Sequence, residues 1–221
     1  MKRSRINRLQ KSAADFFRGL GFCLPGFAWW RPADWKQAGE AARPIKERML
    51  GWDISDFGKN DFDRLGVLIF TLRNGPRDHS GEPYCEKALV LKAGQKLPEH
   101  YHFAKTEDII NRGGGELIIR VWPEDSAGGL GSGSVKVLVD GGIWREAKAG
   151  EELRILPGGS ITLVPKVYHS FAARNGDVLI GEVSAVNDDT TDNCFLEPLP
   201  RFAAPEEDEE ILYYLCQEYP L

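Results

Sequence analysis

Apolar positions in the first twenty residues recur at helical spacing. Ile6, Leu9, Ala13, Phe16, Phe17 and Leu20 fall on one stripe, and Gly21 follows as a stop. The spacing predicts an amphipathic helix that docks through this stripe, with Lys2, Arg3, Arg5, Arg8 and Lys11 on its wet face. Pro32 and Pro44 stand where helices can begin, so residues 1–50 read as a helical extension. From Leu65 the texture changes to short β-rich runs: Val67–Leu72, Ala88–Leu91, Leu117–Trp122, Val135–Val139, Ile143–Glu146, Leu153–Leu156, Ile161–Val164, Tyr168–Ala173 and Val178–Val186.

The runs are separated by residues suited to tight reversals: Asp140-Gly141-Gly142, Pro157-Gly158-Gly159 and Asn175-Gly176-Asp177. Many short strands without intervening helices predict an all-β barrel or sandwich over residues 65–221, in one domain with the helical extension packed on it. Asp125–Ser134 reads as a glycine-rich loop, Glu206–Glu210 as a solvated acidic segment, and Ile211–Cys216 as a last strand.

Composition adds exclusions. A chain of 221 residues with 42% hydrophobic and 28% charged residues can bury a core without staples. The net charge of -5 comes with no basic stripe, which argues against a nucleic-acid partner. The longest apolar runs are too short to cross a bilayer, and the basic N-terminus lacks a signal-peptide core, so no membrane partner is expected. Cys23, Cys85, Cys194 and Cys216 are widely spaced and form no C-x-x-C pair, which fits a cytoplasmic location.

Candidate chemistry centres on the histidines, of which the chain has four. His100 and His102 are two apart in an extended segment, so both imidazoles project from one face and can share an ion. Glu107 can bring a carboxylate back to the same point, and His169 sits in a run predicted to face inward. A lone H-x-H, or one buried histidine, would be weak grounds for a metal. The surrounding frame, Gly94-x5-His100-x-His102-x4-Glu107-x6-Gly114, matches the first cupin motif. In the second motif Gly158 and His169 are in register, while Val164, Lys166 and Ala173 replace the usual proline, glycine and asparagine. The fold expected is therefore a cupin jelly-roll barrel, a double-stranded β-helix. Three imidazoles and one carboxylate suit an open-sited divalent ion acting as a Lewis acid, with Mn, Fe, Co, Ni or Zn all compatible.

Further segments carry a narrower resemblance: Leu50-Gly51-Trp52-Asp53, Phe70-Thr71-Leu72-Arg73-Asn74-Gly75, Glu107–Gly115 and Gly181-Glu182-Val183-Ser184 with Val186-Asn187-Asp188-Asp189. Together they resemble the D-lyxose isomerases. The resemblance implies Mn2+ and the interconversion of D-lyxose with D-xylulose, with D-mannose and D-fructose as a second pair.

Moving a proton between C1 and C2 of a sugar needs a base. Glu182 is the first candidate, because it interrupts a strand apolar on both faces, where burial should raise its pKa. A structural salt bridge is the competing reading. Lys105 is the candidate to bond O1 or relay a proton, and Asp188, Asp192 and Arg201 are candidates for the sugar hydroxyls. Arg73 and Asn111 can equally be structural. A non-catalytic sugar-binding cupin and an iron-dependent dioxygenase are the rival readings. A homodimer is expected from the fold class; Phe27-Ala28-Trp29-Trp30 can form an interface or pin the extension to the barrel.

Overall fold

The computed structural model describes residues 1–220. Helix α1 (Arg3–Gly19) forms on the expected stripe, with Ile6, Leu9, Ala13 and Phe17 buried. These side chains pack with Trp52, Ile54, Leu68, Phe70 and Val90 on the outer face of a sheet. Gly21, at φ +69°, turns the chain out of the helix, and the Phe22 amide bonds back to the Phe17 carbonyl at 2.8 Å. Helices α2 (Pro32–Ala38) and α3 (Arg43–Glu47) each have proline in their first turn. The aromatic segment between α1 and α2 pins the extension down. The Trp52 indole donates to the Ala28 carbonyl at 2.8 Å, and Trp29 packs edge-on against Trp52.

The barrel starts earlier than residue 65, with β1 (Gly51–Ser55). The pattern hides this strand because its inward positions are polar: Asp53 and Ser55 are buried while Trp52 and Ile54 face the helix. The remaining strands are β2 (Val67–Asn74), β3 (Tyr84–Leu91), β4 (Lys96–His102), β5 (Glu107–Pro123), β6 (Ser134–Val139), β7 (Ile143–Lys148), β8 (Glu152–Ile155), β9 (Ser160–Leu163), β10 (Val167–Ala185) and β11 (Asn193–Phe195). They pair in the order β1-β2-β3-β10-β5-β9-β6-β7, with β4 joining β10 and β11, and β8 joining β5.

The long antiparallel pair β5 and β10 closes the barrel. The second half of β10 pairs with β3 and the start of β5, and its first half pairs with β4 and the end of β5. Asn175-Gly176-Asp177 is therefore not the expected reversal. It is a bulge at which β10 bends, with Asn175 at φ +59°, and the strand continues on the far side. Gly114 makes the matching bend in β5 at φ +91°, where a Cβ would lie 2.1 Å from the Asp177 carbonyl oxygen. Inside, Ile69, Leu89, Ile109, Ile119, Ile161, Phe171 and Ile180 form a second core.

The C-terminal segment departs from expectation. Ile211–Cys216 is not a strand; only Leu215 makes an isolated bridge, to Trp52. Its backbone is satisfied by helix side chains instead: Gln10 donates to the Tyr213 carbonyl and Asn7 accepts from the Leu212 amide, both at 3.1 Å. Nor are the acidic run and the basic helix simply solvated. Arg3 is fully buried and pairs with Glu207 and Glu218, and Ser4 and Asn7 bond to Asp208 and Glu209.

Candidate active site

Strand alternation turns His100 and His102 into the barrel, while Tyr101 between them packs against Tyr168. His169 on β10 pairs directly with His100 in the sheet register, and Glu107 opens β5. All four side chains are buried. The three histidines each offer a ring nitrogen within 4.8 Å of the others, so the group can hold a metal ion.

The donor chemistry fits a cation. His100, His102 and His169 place Nδ1 against the carbonyls of Pro98, Asp192 and Val167, at 2.8, 3.1 and 2.9 Å. A carbonyl only accepts, so each Nδ1 is the donor there and each Nε2 is turned toward the cluster. The Nε2 atoms of His100 and His169 face each other at 3.1 Å. The Glu107 carboxylate lies 3.2 Å from His169 Nε2 and 3.4 Å from His102 Nε2. Three ring nitrogens and a carboxylate thus converge, a mixed N/O donor set that suits a divalent ion.

A partly open cavity lies beside this cluster. Phe57, Leu97, Phe171 and Phe195 form part of its apolar wall, while Lys87, Lys105, Glu182, Asp189 and Arg201 contribute charge. Lys105 Nζ lies 2.8 Å from Glu182 Oε1 and 3.0 Å from Glu107 Oε2. Burial lowers the tendency of Lys105 to hold its proton, but Glu107 and Glu182 more than offset this and raise its pKa. The expected rise at Glu182 is overturned. Burial pushes its carboxyl up, but the ammonium groups of Lys105 and Lys87 outweigh burial and hold it below the usual range. The base candidate and the salt-bridge partner are thus one residue.

Arg201 reaches the cavity wall from the irregular C-terminal segment, its Nη2 shared between Asp53 Oδ2 at 2.7 Å and Asp189 Oδ2 at 3.0 Å. Its Nη1 is buried without a hydrogen-bond partner among the described residues. Asp188 and Asp192 do not line this cavity. Asp188 caps its own loop through Thr190, and Asp192 stands behind His102, receiving the Ala104 amide at 2.8 Å and the Lys105 amide at 3.2 Å. Asn111 bonds to the backbone of Gly115 and Ile155, and Arg73 pairs with Glu86 outside the cavity.

Sequence reasoning missed Lys87, Asn187, Asp189 and Asp53. A signal existed for Lys87, which shares strand parity with the inward-facing Leu89 and Leu91 and lies opposite Glu182 in the register. Carboxylates here outnumber cations: buried Asp53, Glu107 and Glu182 and part-buried Asp189 face buried Lys87 and Lys105 and part-buried Arg201. An added cation relieves that imbalance.

The fold is shared with solved sugar isomerases. The L-ribose isomerase of Acinetobacter sp. DL28, solved with L-ribose, aligns at a TM-score of 0.60 and 17% identity, covering 89% of this chain and 93% of that one. The Cellulomonas parahominis L-ribose isomerase aligns at 0.60 and 17%, covering 94% and 98%. Two curated relatives are named D-lyxose/D-mannose isomerase. The Serratia proteamaculans protein is 44% identical over 226 aligned residues and the Escherichia coli O157:H7 protein 45%, each covering 99% of this chain and 98% of the relative. The family model described as D-lyxose isomerase matches residues 1–219. An all-β cupin barrel with this buried site and these whole-length matches belongs to the D-lyxose isomerase family of sugar isomerases.

Proposed function

We propose that the chain is a divalent-metal-dependent aldose-ketose isomerase that interconverts D-lyxose with D-xylulose and, as a second pair, D-mannose with D-fructose. The names of the curated relatives support the sugars. His100, His102, Glu107 and His169 are the proposed ligands, and Mn2+ the proposed ion. The observation that carries the reading is the contact between Lys105 and Glu182 on the cavity wall, beside three converging ring nitrogens and a carboxylate.

When bound, the ion supplies a fixed positive charge against the negative charge that develops on the sugar oxygens. Glu182, kept ionised by its two lysines, takes the C2 proton of the aldose and returns it to C1, which yields the ketose. Lys105, whose pKa is raised, holds its proton firmly; it donates a hydrogen bond to a sugar oxygen as the hydroxyl proton passes between O2 and O1. Arg201 Nη1, which lacks a partner among the described residues, is the donor for a hydroxyl further along the sugar. The expected homodimer in the cytoplasm completes the reading; a mass measured by light scattering tests the assembly.

The test is isomerisation of unphosphorylated aldoses by EDTA-stripped protein, with and without added Mn2+, in parallel with Glu182→Gln. The expected result is Mn2+-restored conversion of D-lyxose, lowered about 10^3-fold in the variant. No conversion of any aldose by metal-loaded protein overturns the reading in favour of a sugar-binding cupin. Full activity in the variant removes Glu182 as the base.

A further inference from the structure

Two lysines and two oxygens form a closed ring beside the cavity. Lys105 Nζ lies 2.8 Å from Glu182 Oε1 and 3.3 Å from Asn187 Oδ1. Lys87 Nζ lies 2.7 Å from the same Asn187 oxygen and 3.4 Å from the same Glu182 oxygen. Donor and acceptor alternate around the ring, so the ammonium groups are screened from each other at two corners. All four residues are buried.

The ring is anchored from outside. Asn74 grips the Asn187 backbone twice, accepting its amide and donating to its carbonyl, both at 2.9 Å. Lys87 stands directly opposite Glu182 in the pairing of β3 with β10, so its stem enters at the same level of the barrel. Asp189 Oδ1, 3.7 Å from Lys87 Nζ, balances its charge from behind. The consequence falls on the Glu182 carboxylate. Its contacts with Lys105, Lys87 and Ser184 all converge on Oε1. Oε2 has no polar partner among these and is left to the cavity that Glu182 lines.

We propose that Lys87 and Asn187 are positioning residues that clamp one oxygen of Glu182 so that the other alone is presented to the sugar. This rests on the assignment of Glu182 as the base. A carboxylate fixed on one oxygen loses the rotational freedom that would otherwise spread its reactive oxygen over several placements, and misplacement of about 1 Å costs on the order of 100-fold in rate. Neither residue needs to touch the sugar to have this effect.

The test uses full-length, Mn2+-loaded protein and D-lyxose, with Lys87→Met, Lys87→Arg and Asn187→Ala. Lys87→Met is expected to lower kcat about 100-fold while KM stays within about threefold of wild type. Lys87→Arg should recover about tenfold of that loss, and Asn187→Ala, which leaves every charge in place, should lower kcat about tenfold. In the defective variants the isotope effect with 2-deuterated D-lyxose should rise, because proton abstraction becomes the slow step. If Lys87→Met does not fold, Asn187→Ala decides. A folded variant of either residue with kcat within about twofold of wild type, or with KM raised and kcat unchanged, overturns the proposal. Loss of activity in Glu182→Gln together with normal kcat in these variants sinks this inference alone; full activity in Glu182→Gln sinks the base assignment beneath it.

Discussion

Lys105 Nζ stands between two carboxylates, 3.0 Å from Glu107 and 2.8 Å from Glu182. One ammonium therefore ties a proposed metal ligand to the proposed base. Replacing it with methionine leaves two like charges facing each other in a buried site. Lys105→Met should lower kcat about 100-fold, with Lys105→Arg recovering part, as read by initial rates of D-lyxose conversion.

Removing the proposed metal should cost stability as well as activity, because three ring nitrogens and the Glu107 carboxylate converge in a buried site. Dialysis against EDTA should lower Tm, and adding Mn2+ should restore it in a concentration-dependent way, followed by calorimetry. A Tm indifferent to EDTA would count against the ligand set.

The two carboxylates that share Arg201 should behave differently. Asp189 is held well below the usual range, since Arg201 and Lys87 together outweigh burial. For Asp53 burial wins over Arg201 and the pKa is raised. Asp189→Asn removes a carboxylate that pairs with Arg201 and Lys87, and should cost about 3 kcal/mol; Asp53→Asn should cost less than about 1 kcal/mol. Denaturant titration at neutral pH measures both.

The pH dependence of stability follows from the same groups. Asp189 and Glu182 are depressed, so the stability they contribute is fully present above the ordinary carboxylate value of about 4 and is lost as pH falls through their lower folded values. Asp53, being raised, acts in the opposite sense: its contribution is present in acid and is lost as pH rises through its folded value. Asp53→Asn should therefore flatten the loss of stability on going from pH 4 toward neutrality, as seen by thermal melts across that range. An unchanged pH profile would contradict the assignment.

Gly114 occupies a backbone conformation disfavoured for other residues and lies against the Asp177 carbonyl at the bend of β5 and β10. Gly114→Ala should destabilise the barrel by about 3 kcal/mol or more, whereas Gly158→Ala, at a turn with open space around it, should cost no more than about 1–2 kcal/mol.

Much of this molecule was legible in the chain itself. The stripe from Ile6 to Leu20 identified α1, the apolar runs placed the strands, and the spacing around His100, His102, Glu107 and His169 named a cluster that the barrel brings together. These features are local: helical period, strand alternation and fixed motif spacing all follow from the backbone over a few residues. Even the inward placement of Lys87 was available from its parity with Leu89 and Leu91.

What tertiary structure alone decided is the electrostatic state of the site. Burial of Glu182 was readable, but the sign of its pKa shift depends on Lys87 and Lys105, which are 95 and 77 positions away in the chain and meet it only in the folded barrel. The same holds for Asp53 and Arg201, for Arg3 with Glu207 and Glu218, and for Asn175-Gly176, whose turn chemistry serves a bulge because a partner strand runs on past it. Coulomb interactions and strand pairing act through space, so their outcome is set by which distant residues the closed barrel places side by side.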